Sequence, residues 1–315
     1  MTRYHEIDME KIKTVSVHDR ERRVSVDHLI KPIKPGSGFR EFWDHLPPFL
    51  ASRDLKDLVL ATARAVQEKK PVLVMMGAHV IKVGLGPLLI DLMKRKIVQG
   101  IALNGAGAIH DVELAYFGYT SEDVGANILD GTFGMARETA DIMNNSIRAS
   151  EGNKPGFGEA VGKQIAEDTP PHGDISILGQ AYQLGVPVTV HVGVGTDIVH
   201  QHPNADGGAI GASSMRDFRI WAHQISKIGD GGVVLLFGSA VILPEVFIKA
   251  MTMARNAYGS IDHFTTASFD MNRHYRPHVN VVERPNQNGG KGYTFTGHHE
   301  LMIPLFAAAL CEMIQ

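Results

Sequence analysis

PVLVMMGAH, residues 71–79, is an unbroken apolar run that stops at a glycine, an alanine and a histidine. A run without polar alternation suits a strand buried on both faces, and such strands belong to parallel sheets covered by helices. The same pattern returns at 99–104 (QGIALN), 187–192 (PVTVHV), 232–237 (GVVLLF) and 262–266 (DHFTT). Helical periodicity occupies 54–68 and then 86–95, 133–148, 214–228, 243–256 and 301–314. Strand–helix alternation implies right-handed crossovers. It predicts an α/β fold: a doubly wound, mostly parallel sheet with helices on both faces, Rossmann-like. Residues 1–50, polar and broken by Pro32, Pro35, Pro47 and Pro48, read as an N-terminal arm. Residues 51–315 read as one nucleotide-binding domain with a helical excursion at about 112–170, where Gly, Asp and Asn accumulate.

Composition narrows the function classes. With 315 residues, 44% hydrophobic and 21% charged, the chain can bury a large core. A net charge of −3 offers no electrostatic footprint for nucleic acid or an anionic membrane. Cys311 is the single cysteine, so no internal disulfide forms, which suits a reducing compartment. Met1 to Lys13 is charged throughout, unlike a signal peptide, and no apolar stretch reaches the roughly 20 residues of a membrane helix. The expectation is a cytoplasmic protein.

Ligands of open α/β sheets bind beyond the carboxyl ends of the strands. The residues there are Gly77, Ala78 and His79; Gly105 through Asp111; Gly193 through Asp197, with His200 and His202 beyond; Gly238 and Ser239; and Ala267 through Asp270. Small residues let backbone amides approach a phosphate, so several such turns on one edge point to a dinucleotide. No complete G-x-G-x-x-G fingerprint, Walker lysine or G-x-S-x-G elbow is present. His191, Asp197, His200 and His202 form H-x5-D-x2-H-x-H, whose side chains are of types that bind zinc or iron, or else simply line a polar cleft.

These segments resemble the deoxyhypusine synthase family, in order, from about residue 70 to the end. Residues 77–111 end in N-G-A-G-A-I-H-D (104–111), similar to the family's T-G-A-N-L-T-H-D-like motif. GVPVTVHVGVGTDIVHQH (185–202), GGVVLLFGSAVILPEVFIKAMTMARN (231–256), DHFTTASFD (262–270) and HHELMIPLFAAAL (298–310) resemble its later motifs. The resemblance implies an NAD-dependent transferase of polyamine metabolism that oxidises spermidine and passes a four-carbon amine through a lysine imine to a protein lysine, working as a homotetramer. It implies NAD contacts at Ala78, His79, Gly105, Ala106, His110, Gly238, Ser239, Thr266, Ala267, Asp270, Gly297 and His298, and amine contacts at Asp197 and Glu245. His110 or His202 would serve as acid–base. The family's catalytic lysine aligns with Pro285, and Lys291 lies six residues further on, in N-Q-N-G-G-K-G. Leu243 and Pro244 stand in place of K-H, Val192 in place of one Asp and His298 in place of another. Three readings follow: a diverged enzyme of this family, with Lys291 as its covalent residue; a metal-dependent hydrolase or lyase built on His191, Asp197, His200 and His202; and a non-catalytic NAD-binding scaffold.

Overall fold

The computed structural model describes residues 3–149 and 155–314; positions 150–154, inside the expected excursion, lie outside the described residues. The chain divides into two compact units, Met1–Arg53 and Asp54–Gln315. In the first, Asp8, Ser16 and Ser25 cap the short 3-10 turns Met9–Lys11, Val17–Asp19 and Val26–His28, none of which buries a residue. Helix α1 (Phe39–His45) follows, with Trp43 stacked on Phe39 at 6.2 Å between ring centres. Helix α2 spans Leu50–Gln67, and its buried residues Leu55, Leu58, Val59 and Thr62 belong to the second unit.

After α2 the second unit continues with β1 (Val72–Met76), α3 (His79–Lys82), α4 (Gly86–Lys94) and β2 (Gly100–Asn104). Five helices then intervene: α5 (Gly105–Phe117), α6 (Val124–Asp130), α7 (Arg137–Ala149), α8 (Phe157–Asp168) and α9 (Ile177–Leu184). After them come β3 (Val188–His191), α10 (Gly207–Ile225), β4 (Val233–Phe237), α11 (Ile242–Tyr258), β5 (Thr265–Asp270), β6 (Lys291–Thr296) and α12 (His299–Ile314). The six strands make one sheet in the order β3-β2-β1-β4-β5-β6, parallel throughout. This is the doubly wound order of dinucleotide-binding folds, with its reversal point between β1 and β4.

The core explains the apolar runs. Every residue of β1 and β4 is buried. Leu73, Met75, Val234 and Leu236 pack with Trp221, Phe247 and Met251 on one face. On the other, Phe237, Phe269 and Phe295 follow one another at 5.3 and 4.7 Å and meet Phe306 of α12 at 5.9 Å. Burying one such ring is worth about 2–3 kcal/mol.

Two strands differ from the sequence reading. The fifth is Thr265–Asp270, not 262–266. Its polar residues hide it, yet they are satisfied: Thr266 Oγ1 donates to the Val281 carbonyl (2.8 Å) and accepts from Asn286 Nδ2 (2.7 Å). The sixth, Lys291–Thr296, is a sheet edge with Lys291, Gly292 and Thr296 exposed, so no continuous apolar run marks it.

Two buried aspartates bind the intervening helices together. Asp111 accepts from Ser176 Oγ and from the Ile177 and Leu178 amides at the head of α9 (2.6, 2.7 and 3.0 Å). Asp217 of α10 accepts from the Gly158 amide of α8 (2.9 Å) and the Val190 amide of β3 (2.7 Å). Burial pushes their carboxyls up to about 6 and about 7 respectively, against the lowering effect of those donors. Among the described residues no helix is long and apolar enough to cross a membrane.

Candidate functional site

The carboxyl edge of the sheet carries a crevice and a pocket. The crevice lies at the reversal point. Gly77 donates to the Phe237 carbonyl and Gly238 to that of Phe269, both at 3.0 Å, which draws the turns after β1 and β4 together. They are so close that a Cβ on Gly77 would lie 2.1 Å from the Gly238 carbonyl oxygen. Gly238 has φ +64°, and a side chain there would strike His299. Among the described residues, the amides of Ala78, His79, Ser239 and Ala240 have no backbone partner. These unspent donors, on two small-residue turns, fit an anionic group such as a pyrophosphate. Asp270 and Gly297 end the next two strands, and the Gly297 amide is committed to the Asp270 carbonyl at 3.0 Å.

The pocket, of about 800 Å³, opens beyond β2 and β3. Its carboxylates are Glu113, Glu122, Glu138 and Asp197, its apolar walls include Ile109, Phe117 and Phe133, and Lys82 is the one lysine lining it among the described residues. Three of the carboxylates are committed. Glu113 accepts from Thr120 and Thr139 (2.5 and 3.2 Å), Glu122 from Asn127 and the Gly134 amide (2.6 and 2.8 Å), and Glu138 from Arg137 (2.9 Å). Asp197 is different. Its side chain is 5% exposed and its Oδ2 has no hydrogen-bond partner. Burial pushes its carboxyl up to about 6, with only the Ala106 amide opposing. A buried acceptor with nothing to accept is costly unless a ligand supplies the donor.

Asp197 also reassigns a turn. A Cβ on Gly105 would lie 2.0 Å from Asp197 Oδ2, so this glycine makes room for a carboxylate. Asn104 caps the same helix, accepting from the Gly107 amide at 3.0 Å. With both side chains at the head of α5, Gly105 and Ala106 offer no phosphate cradle. Ala106 lines the pocket, as does His110.

Other candidates read from the sequence move as well. Thr266 and Ala267 lie inside β5 with no exposed surface and cannot touch a cofactor. His298 is an exposed partner of Glu300, whereas its neighbour His299 is buried beneath Gly238, bonded through Nε2 to the Phe269 carbonyl (3.1 Å) and 5.8 Å from the His79 ring. Ser239 Oγ accepts from the Leu243 amide at 3.2 Å and so caps α11. Glu245 is neutralised by Lys249 and Arg276 at a separate cavity of about 650 Å³. Lys291 begins β6 opposite Thr265, at the amino end of the sheet. Five residue steps, roughly 16 Å, separate it from the carboxyl edge. Pro285, in the lysine's aligned place, is buried, with its carbonyl held by Arg255 at 3.1 Å.

The four-residue metal cluster is not assembled. His191 is buried, with Nε2 3.0 Å from Thr189 Oγ1, and desolvation pushes its imidazole down to about 3. His202 Nε2 is 2.8 Å from the Gly134 carbonyl, and His202 does not line the pocket. Only His200 Nε2 comes near Asp197 Oδ2, at 3.9 Å. Among the described residues no three His, Cys, Asp or Glu side chains converge as a metal site. The residues that sequence reading misses are Lys82, Glu113, Thr120, Glu122, Glu138 and Thr139. Most lie in or beside the irregular stretch after residue 111, where no spacing sets one carboxylate apart from another.

No protein-family model and no curated protein matches the sequence. Among solved structures, the chain is similar to a candidate deoxyhypusine synthase from Entamoeba histolytica, with a TM-score of 0.51 and 10% identity over 89% of this chain and 96% of that one. It is similar to a conserved candidate LOR/SDH protein from Methanococcus maripaludis S2, with a TM-score of 0.52 and 14% identity over 84% of this chain and 69% of that one. It is also similar to AgrE, solved in a ternary complex with ornithine and NAD+, with a TM-score of 0.51 and 14% identity over 83% of this chain. The chain spans about a third (32%) of the length of AgrE. The likeness at these identities is one of fold, and the fold is a doubly wound α/β sheet of the deoxyhypusine synthase-like kind.

Proposed function

We propose that the chain is a diverged, deoxyhypusine synthase-like, NAD-dependent enzyme of amine metabolism that oxidises a carbon bearing an amino group. The observation that carries this reading is Asp197: a buried carboxylate whose Oδ2 has no hydrogen-bond partner, in a pocket with three further carboxylates and apolar walls. An ammonium group supplies both the charge and the hydrogen-bond donor that Asp197 Oδ2 lacks, while an alkyl chain suits Ile109, Phe117 and Phe133. In this reading NAD lies along the β1/β4 crevice on the amides of Ala78, His79, Ser239 and Ala240, with Gly238 and His299 beneath it. When bound there, it supplies the hydride acceptor. The chain's own work is to hold the amine by its charge, exclude water with the apolar walls, and take up a proton at His110. The complex of AgrE with ornithine and NAD+ supports the pairing of an amine ligand with this cofactor on a related fold.

The lysine-imine transfer of the resembled family is left out, because neither Pro285 nor Lys291 stands at the carboxyl edge. A homotetramer working in the cytoplasm completes the reading, supported by the motif resemblance alone. The test is direct. Titration calorimetry with NAD+ should show saturable binding, and spermidine, ornithine or arginine added with NAD+ should produce reduced nicotinamide. No NAD+ binding at millimolar concentration sinks the proposal.

A further inference from the structure

Three side chains on one wall of the pocket form a hydrogen-bonded chain with a fixed direction. His110 Nδ1 lies 2.5 Å from Thr120 Oγ1, and that hydroxyl donates to Glu113 Oε2, also at 2.5 Å. The other carboxylate oxygen, Oε1, accepts from Thr139 at 3.2 Å. Burial alone would raise the Glu113 carboxyl, but the neighbouring His110, 3.7 Å away, and the hydroxyl donors Thr120 and Thr139 outweigh it and hold Glu113 below the ordinary range, hence ionised at neutral pH. A carboxylate only accepts, and a hydroxyl has a single proton to give. With that proton committed to Glu113, Thr120 offers His110 nothing but a lone pair. The hydrogen between them must therefore sit on His110 Nδ1, and neutral His110 carries its own lone pair on Nε2.

We propose that Glu113 and Thr120 are positioning residues that lock His110 as the Nδ1–H tautomer and so make Nε2 the proton acceptor of the pocket. The use of that acceptor rests on the amine reading above: an N–H bond of the ammonium group breaks, its proton passes to Nε2, and the electron pair stays on nitrogen. The tautomer itself rests only on the geometry. His202, the other acid–base candidate, does not line the pocket.

The test reads the imidazole nitrogens by ¹⁵N NMR in the full-length chain, with ¹⁵N-labelled histidine and His110→Gln for assignment. The wild type should show His110 protonated at Nδ1. Thr120→Val, which keeps the shape and removes the hydroxyl, should lose that preference, and Thr120→Ser should restore it. An Nε2–H wild type, or an unchanged tautomer in Thr120→Val, overturns the proposal. These spectra need neither cofactor nor turnover, so their result stands apart from whether any amine is oxidised. With the amine that reduces NAD+ fastest, Thr120→Val should lower kcat on the order of 10–100-fold and leave KM within about twofold. An unchanged kcat also overturns it.

Discussion

Beyond β1, β2 and β3 the chain takes a long helical detour that brings carboxylates to the sheet edge; beyond β4, β5 and β6 it returns by shorter connections and brings small residues and aromatic packing. In the first half, Glu113, Glu122, Glu138 and Asp197 surround the pocket. In the second, Gly238 and Gly297 make tight turns above His299 and the Phe269 cluster. The contrast divides the labour: the edge beyond β2 and β3 is suited to cations, and the β1/β4 crevice to holding a flat or anionic group against backbone amides. It also separates buried carboxylates that hold the fold from the one that does not. Asp111 and Asp217 accept from amides that tie helices and strand together; Asp217 keeps one buried oxygen, Oδ1, without a partner, but the free Oδ2 of Asp197 belongs to a side chain that lines the pocket.

The largest expected effect comes from breaking a structural carboxylate. Asp217→Ala leaves the Gly158 and Val190 amides without their acceptor and should lower stability by about 3–4 kcal/mol, read by urea denaturation. A loss below about 1 kcal/mol would erase the distinction between the structural aspartates and the one that lines the pocket.

Asp197→Asn should do the opposite to the fold. The folded carboxyl is raised to about 6, so the ionised form penalises folding above that pH, and the penalty fades as pH falls toward the ordinary carboxylate value. The variant should therefore gain about 1–3 kcal/mol at roughly pH 8 and lose that gain near pH 4. Amine binding by calorimetry should weaken by about 30-fold or more in the same variant. Destabilisation together with intact binding would move Asp197 into the structural class.

In the wild type, amine affinity should hold above pH 6 and then fall by up to about tenfold per unit as Asp197 takes up its proton. A flat profile from about pH 8 to pH 5 would mean that another carboxylate anchors the ligand. The smallest effect is expected from Lys291→Ala, which should leave amine-dependent NAD+ reduction within about twofold, because Lys291 starts its strand at the amino end. A trapped amine adduct on Lys291 after borohydride treatment would reverse that expectation.

What can be read from the sequence follows the same divide. β1 to β4 are legible because burial on both faces demands unbroken apolar runs. β5 reads too early along the chain, since Thr266 and Ser268 are polar residues, and Thr266 finds its partners only in a segment that sequence periodicity does not predict. Asp197 and His110 stand out by their place after strands, as motif positions do. Glu113, Thr120 and Thr139 do not, because their partnership depends on how helices α5 and α7 and the loop before α6 come together. The turn at Gly105 misleads in an instructive way: a glycine at a helix head reads as room for phosphate, and here the room is filled by the protein's own carboxylate.

β3 ends the sheet on one side, and a bare strand edge is a template on which another chain can add a strand. Here helix α10 occupies that template with side chains. Asp217 takes the Val190 amide, and Ser214 bonds to the Val190 carbonyl (2.9 Å) and accepts the Val192 amide (3.2 Å). The outward backbone groups at Val190 are thus answered from within the molecule, as is the amide just past the strand's end. Extension of the sheet by a foreign strand is blocked on this flank at Val190 and Val192.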